Sequence, residues 1–227
     1  MRKERGAPVT SHIGQERALL VSLDDALSDP QRVRAMASVA CFAVDSPFYP
    51  GVRAPLPQGV AAEVERLSWP VLAEHFGCRR GLNIKNASFA LTVTAPAQLR
   101  PPQRIPHYDG TSDSQFAVLI HLGFDDLGGT GFFRHRSTGY ESIGPERELS
   151  YFAALRSDLE SLGRPKPSYI DESTAIYERI AVSSARFNRM ILYRGNMLHS
   201  AMLRLPEGLS ACPATGRLTI TCFIDAD

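Results

Sequence analysis

The sequence predicts a mainly β domain, a jelly-roll-like double sheet with flanking helices, and two observations carry that prediction. Strand-like segments crowd the chain from Leu82 onward: Leu82 to Thr94, Gln103 to Tyr108, Phe116 to Leu122, Gly131 to Arg134, Arg189 to Tyr193, Met197 to Arg204 and Arg217 to Ile224. Their β-branched and aromatic content, and the Gly, Pro and Asp clusters between them, suit short strands joined by turns. The second observation is size. A chain of 227 residues matches a single β-barrel domain, which commonly runs to about 200 to 250 residues.

In chain order, the first twenty residues read as a frayed lead with a short strand at Ala18 to Val21. Asp29-Pro30 then opens a helix reaching about Ala40, because proline fits the first helical turn and Val33, Met36, Ala37 and Ala40 form one apolar stripe. Ser46 to Pro57, with Tyr49-Pro50-Gly51, reads as a loop. A second helix is expected over Gln58 to Phe76, with Val60, Val64, Leu67, Val71 and Leu72 on one face. Pro70 is expected to kink or divide it.

Residues 1–81 thus read as helical support, 82–138 and 187–225 as barrel strands, and 139–186 as an insertion between them. The insertion is expected to hold a helix at Pro145 to Leu155, a break at Gly163-Arg164-Pro165-Lys166-Pro167, and a helix at Glu172 to Ala181. A segment of that size on a rigid scaffold is a lid or substrate wall, or else a packing elaboration of the sheet.

Composition narrows the partners. Hydrophobic residues make up 44% of the chain, enough for a sizeable core, and the formal net charge of +1 argues against nucleic acid or an anionic membrane as a bulk partner. Cys41, Cys78, Cys212 and Cys222 show no Cys-x-x-Cys spacing. The start, Met1-Arg2-Lys3-Glu4-Arg5, lacks an apolar signal core, and no apolar run suits a membrane span, so the expected setting is the cytoplasm. Nothing in the sequence sets an oligomeric state.

The chemistry lies in the strand region. In Arg104-Ile105-Pro106-His107-Tyr108-Asp109-Gly110, an extended backbone projects His107 and Asp109 to one face, so one cation can bridge both. His199, which follows an apolar run and a turn, is the expected third ligand. Two imidazoles and a carboxylate form the facial set of non-haem Fe(II) oxygenases, although zinc also accepts such ligands. Past His199, Arg217, Thr219, Thr221 and Phe223 alternate with Leu218, Ile220, Cys222 and Ile224. The second set is a core face. The first places a guanidinium beside a hydroxyl in a β-rich interior, where a buried Arg needs an anion, and a carboxylate fits that fork.

His-x-Asp, a distal His and then Arg-x-Thr, in that order, resemble the Fe(II)- and 2-oxoglutarate-dependent dioxygenase superfamily over about Leu82 to Ile224. Gly128-Gly129-Thr130-Gly131-Phe132-Phe133 also looks like a Gly-Gly hairpin found in many of its members. Within the superfamily the chain looks closest to a small bacterial group of unknown function. The resemblance implies a double-stranded β-helix (jelly-roll, cupin-like) core. It implies that His107, Asp109 and His199 bind Fe(II), and that Arg217 with Thr219 binds the distal carboxylate of 2-oxoglutarate. It further implies O2 as the second co-substrate, with succinate and carbon dioxide released. Because the carboxylate ligand is kept at Asp109, the implied outcome is hydroxylation, or desaturation or ring closure.

Other residues extend this reading. His121 shares a strand face with Gln115, Ala117 and Leu119 and is expected to contact the co-substrate or to serve as a substitute ligand, with a core role as the other possibility. Arg134, Arg136 and Tyr108 are substrate candidates, and Tyr140, Tyr151 and Tyr169 possible pocket walls. His135, between two arginines, is expected at the surface or facing substrate. The expected substrate is a small polar metabolite such as an amino acid or derivative. Two other classes fit parts of the pattern: a non-catalytic jelly-roll binding module, and a metal-dependent enzyme that does not use 2-oxoglutarate. Arg217 separates them from the oxygenase, since neither needs a buried guanidinium there.

Overall fold

Strict alternation along the last strand decides how the layers stack. In the computed structural model, which describes residues 6–125, 127–203 and 209–227, this strand is β10 (Leu218–Ala226). The strands before it are β1 (Val9–Ile13), β2 (Ala18–Leu23), β3 (Gly51–Pro55), β4 (Leu82–Thr92), β5 (Gln115–His121), β6 (Gly129–His135), β7 (Tyr177–Ser184), β8 (Met190–Arg194) and β9 (His199–Met202). The helices are α1 (Pro30–Ser38), α2 (Gln58–His75) and α3 (Glu148–Leu162). A large sheet runs β1-β2-β8-β5-β10-β4-β3 and a small one β7-β6-β9. Every strand pairing is antiparallel. This is the jelly-roll, or double-stranded β-helix, core.

Leu218, Ile220, Cys222 and Ile224 face outward from the large sheet and pack under α1 and α2, against Val33, Ala37, Val60, Val64, Leu67, Val71 and Leu72. Between the sheets, Ala117, Ile191 and Tyr193 meet Phe132 of β6. On the far side of the small sheet, Phe133 packs against Tyr151 and Leu155 of α3. Asp29 caps α1 by accepting from the Arg32 N–H at 3.0 Å, with Pro30 just inside the helix. At Pro70, where a kink or break was expected, α2 continues as one helix. Its buried face, from Val60 to Leu72, is clamped onto the sheet on both sides of the proline. That packing compensates the one backbone hydrogen bond that proline removes.

Several local expectations give way. The N-terminal segment is a hairpin with register Val9↔Ser22 to Ile13↔Ala18, not a frayed lead. Residues 9–12 of β1 are exposed, so no apolar alternation marks the strand. The loop expected over Ser46 to Pro57 contains β3, an edge strand on β4, where a terminal proline costs no ladder bond. The strand expected over Gln103 to Tyr108 is a 3₁₀ turn at Pro101–Arg104 followed by a single bridge residue, His107. The helix expected at Glu172 to Ala181 is replaced by strand β7, whose pairing with β6 overrides its helix-compatible spacing. The expected strand end at Arg204 and the residues Met1 to Arg5 lie outside the described residues.

Polar ties fix the rim of the large sheet. Asp24 accepts from Arg189 Nε at 2.6 Å and Nη2 at 2.9 Å, and from Arg186 Nη1 at 2.7 Å. Hydrogen bonds and charge from Arg189, reinforced by Arg186, hold the Asp24 carboxyl below its ordinary range despite partial burial.

Ile220 is fully buried at the centre of the large sheet. Ile220→Ala is therefore expected to cost about 2 to 5 kcal/mol in urea unfolding, while Leu149→Ala, at an exposed position on α3, stays within about 0.5 kcal/mol. Asp24→Asn is expected to cost about 1 kcal/mol at pH 7. Since the folded pKa is depressed, wild type holds this advantage above the unfolded carboxyl pKa and loses it as pH falls through the folded value. Unfolding curves of the pair should therefore converge in acid, and a gap that persists there would refute the assignment.

Candidate metal centre

His107 and His199 are direct antiparallel partners, exchanging main-chain hydrogen bonds of 2.9 and 2.8 Å. Side chains of such a pair project from the same face side by side, and residue i+2 of an extended segment returns to that face. Asp109 is that residue, pinned by its N–H donating to the Gly195 carbonyl at 2.7 Å. Cross-strand pairing thus supplies one neighbour and the two-residue period the other. The two rings lie 4.4 Å apart between centroids.

The donor atoms converge. His107 Nε2 stands 3.8 Å from Asp109 Oδ1, His199 Nε2 stands 3.5 Å from Asp109 Oδ2, and the three donors lie within 4.8 Å of one another. A cation with bonds of about 2.1 Å spans both separations. His199 Nδ1 lies 2.9 Å from the Met197 carbonyl, a contact that puts the proton on Nδ1 and leaves Nε2 as donor. Asp109 Oδ2 is buried without a hydrogen-bond partner, and burial raises its pKa. An ion seated among these donors satisfies that oxygen. His107 faces open cavity, its side chain 55% exposed, yet the cavity walls surround it. That enclosure, with the nearby imidazole of His199, disfavours its protonation. Neutral imidazoles and a carboxylate are the forms that ligate metal.

The same cavity, about 530 Å³, runs from the triad to Arg217. Arg217 is 3% exposed. Its Nη2 donates to the Gly129 carbonyl at 2.9 Å and Nη1 makes a long contact of 3.5 Å with Thr92 Oγ1, while Nε is unpartnered. Among the described residues no carboxylate pairs with it. Burial lowers its pKa, but a guanidinium stays charged in proteins, so the site holds an uncompensated buried cation. Two more unpartnered polar atoms belong to residues lining the cavity, Thr130 Oγ1 and Tyr193 Oη. Thr219 also lines it. The Gly128-Gly129 pair that starts β6 is sterically required, since a Cβ at either position would collide with backbone of the flanking strands.

The remaining candidates divide. Tyr108, Tyr151 and Tyr169 line the cavity, with Tyr108 Oη donating to Glu148 at 2.7 Å. His121 pairs in register with Thr219 but is not part of the cavity wall. Burial, aided by the charge of Arg217, pushes its pKa down to about 3, so it is neutral. Arg134 and Arg136, the substrate candidates beside Tyr108, do not line the cavity. Arg134 is held by Glu141 at 2.6 Å and Glu178 at 3.0 Å, and Arg136 donates to the Thr174 carbonyl. Glu178 is the cross-strand partner of Arg134 on β7, where a helix was expected, and Glu141 comes from the loop after β6. His135, expected at the surface or facing substrate, is fully buried and lies 3.0 Å from Asp158. Tyr140 is also absent from the wall.

Three residues had not been singled out: Tyr193, Tyr49 and Arg53, all in the wall. Alternation in Met190–Arg194 carried the signal for Tyr193, which shares a face with Ile191. Its ring meets that of His199 edge-on at 5.0 Å. Burial raises its pKa far above the ordinary phenol range, so the hydroxyl keeps its proton.

In this jelly roll two histidines and an aspartate meet in a cavity that a buried guanidinium also lines, and the fold is one shared with solved 2-oxoglutarate-dependent proteins. The chain belongs to a family of unknown function, DUF6445, whose match spans residues 5–224. Comparison with curated proteins gives no match. Among solved structures, HygX from Streptomyces hygroscopicus, seen with nickel, 2-oxoglutarate and hygromycin B, shares the fold at TM-score 0.53 and 12% identity, over 91% of this chain and 82% of that one. The non-haem α-ketoglutarate-dependent epimerase SnoN from nogalamycin biosynthesis does so at TM-score 0.50 and 13% identity, over 92% and 78%.

His107→Ala, Asp109→Ala and His199→Ala are each expected to weaken Ni(II) binding at least about 100-fold in calorimetry. His121→Ala and His135→Ala should leave it close to wild type. Unchanged metal affinity in His199→Ala would move the third ligand elsewhere.

Proposed function

We propose that the protein is a non-haem Fe(II)- and 2-oxoglutarate-dependent oxygenase that hydroxylates a C–H bond of a small metabolite, such as an amino acid or a derivative, releasing succinate and carbon dioxide. One observation carries the reading: a three-donor metal set and an anion-seeking buried Arg217 line the same cavity. A zinc enzyme without 2-oxoglutarate, or a binding module, has no use for that guanidinium. The fold shared with HygX, whose structure contains nickel and 2-oxoglutarate, supports it.

His107, Asp109 and His199 would hold the iron at the cavity they line. When bound, the iron with its 2-oxo acid and O2 supplies an oxidant strong enough to attack an unactivated C–H bond. The rest is the work of the chain. Arg217 and Thr219 receive the distal carboxylate, and the unpartnered hydroxyls of Tyr193 and Thr130 offer further donors to the same anion. Leu119 and Phe223 add apolar wall to the same cavity. The contact of His199 with the Met197 carbonyl keeps the imidazole in one tautomer and orientation. His121, neutral beside Thr219 in the sheet, adds no competing charge. The 139–186 segment serves as substrate wall through Tyr151, Phe152 and Leu155 of α3.

No helix among the described residues is long and apolar enough to cross a membrane. A reducing, cytoplasmic setting is part of the proposal and suits both Fe(II) and the four free cysteines.

Anaerobic addition of Fe(II) and 2-oxoglutarate is expected to give the visible charge-transfer band of a chelated 2-oxo acid, lost in Asp109→Ala. Arg217→Ala should weaken 2-oxoglutarate binding by about 2 to 5 kcal/mol. Iron binding with no band in wild type would reject the co-substrate, and wild-type affinity in the Arg217 variant would reject the anchor.

A further inference from the structure

The cavity contains a second guanidinium that the oxygenase reading leaves without a task. Arg53 sits on β3, and the strand register places it in one transverse row with Ala90 of β4, Thr219 of β10 and His121 of β5. Directly paired residues share a sheet face, so Arg53 points to the same interior as Thr219. It lines the cavity with a side chain only 17% exposed. Its guanidinium stacks over Tyr49 at 4.4 Å from the ring centroid, which fixes its plane. One partner is present, a long contact of 3.4 Å from Nη1 to Asp45, whose carboxylate is 40% exposed. Nε is buried and unpartnered. Arg53 is also near enough to the triad for its charge to act on both His107 and Asp109.

Around the opening the wall is apolar and aromatic. Phe48 and Phe152 are 70% and 50% exposed there. Phe152 belongs to an aromatic group with Tyr108 and Tyr151, with ring centroids 5.6 to 6.5 Å apart. Ile105, Pro102 and Pro106 complete that side. Large exposed aromatics gathered at the mouth of a pocket mark a surface that a ligand covers.

We propose that Arg53 binds a carboxylate of the substrate to be oxidised, and that the rest of this substrate is an apolar or aromatic body seated against Phe48, Tyr108 and Phe152. The proposal rests on the oxygenase reading and replaces the small polar metabolite expected from the sequence with a hydrophobic carboxylic acid, an acylated or aromatic amino acid being one form. The free Nε edge of a guanidinium whose Nη1 is already engaged matches the two oxygens of a carboxylate. Charge agrees. A metal dication, the Asp109 carboxylate, a dianionic co-substrate and two guanidiniums leave one positive charge, which a monoanion cancels and a phosphate dianion overshoots. Asp45 stands at the solvent edge, where an ion pair contributes little and is readily exchanged.

The test uses protein loaded with Ni(II) and 2-oxoglutarate, which cannot turn over. Binding of 3-phenylpropionate, octanoate and N-acetyl-L-phenylalanine is measured by calorimetry against their neutral amides. At least one acid is expected to bind at least about tenfold more tightly than its amide, and Arg53→Gln to remove that preference. The same variant should keep its 2-oxoglutarate affinity within about twofold, because Arg217 is left intact. Equal binding of every acid and amide, or no binding by any of them, overturns the proposal. So does an Arg53→Gln variant that still prefers the acid, or one that loses 2-oxoglutarate, which would assign Arg53 to the co-substrate. If wild type fails to bind 2-oxoglutarate, the oxygenase reading falls, while the acid–amide comparison on Ni(II)-loaded protein still decides the role of Arg53.

Discussion

Two interiors share one strand. Every even residue of β10 from Leu218 to Ile224 is fully buried under α1 and α2, and Thr219, Thr221 and Phe223 look the other way, into the cavity. A register slip of a single residue would exchange the two faces, driving hydroxyls under the helices and apolar side chains into the cavity. Pairing with β4 and β5 on both sides holds that register, with its one irregularity between Phe223 and Ile224, beyond the cavity residues. Arg217 sits just ahead of the strand, so the same register that builds the core sets where the guanidinium enters the cavity.

This molecule departs from the rule that buried polar groups are paired mostly at the cavity. Among the described residues eight leave a buried side-chain polar atom without a hydrogen-bond partner, and five of them, Asp109, Thr130, Tyr193, Arg53 and Arg217, line it; the other three are His75, His121 and His135. Each such atom costs about 1 to 3 kcal/mol in the ligand-free chain, more where it is charged. Concentrating that cost in one place makes sense only if ligands repay it. The outer core around β10 shows the opposite economy: Ile220, Cys222 and Leu72 are fully buried among apolar neighbours, and Ser68, a fully buried polar residue on α2, returns its hydroxyl to the Val64 carbonyl at 2.8 Å. The sheet and helices supply the stability that an unsatisfied cavity withdraws.

Legibility in the sequence followed this division. Where a segment has one wet and one dry side, as in α1, or alternates between two interiors, as in β10, the pattern alone located it. The triad was legible for a related reason: His107 and Asp109 are two residues apart in an extended stretch, and only the partner of His107 had to be supplied, by His199. Segments with neither contrast escaped. β1 is exposed along most of its length, and β7 carries spacing that serves a helix as well as a strand until β6 selects the strand. Reading Ser46 to Pro57 as a loop concealed β3, and with it Arg53, whose facing depends on a register three strands deep. Arg134 and Arg136 illustrate the converse. They share a sequence neighbourhood with the glycine pair at the cavity, but Glu141 and Glu178 claim Arg134, and Arg136 reaches the Thr174 carbonyl. A charge seen in sequence carries no information about which partner neutralises it.

The two cavity guanidiniums differ in a way that sorts their tasks. Arg217 is sealed in, oriented by the Gly129 carbonyl, with no carboxylate partner among the described residues. An anion there relieves a buried charge, so the pocket selects strongly for having one at all. Arg53 stands nearer the opening, stacked on Tyr49 and balanced loosely by a half-exposed Asp45. An anion there replaces a weak surface pair, so the gain is smaller and more dependent on what else the ligand offers to Phe48 and Phe152. On the proposed oxygenase reading, the deep site serves the ligand common to every turnover, and the outer one discriminates among ligands that share a charge and differ in their apolar bodies.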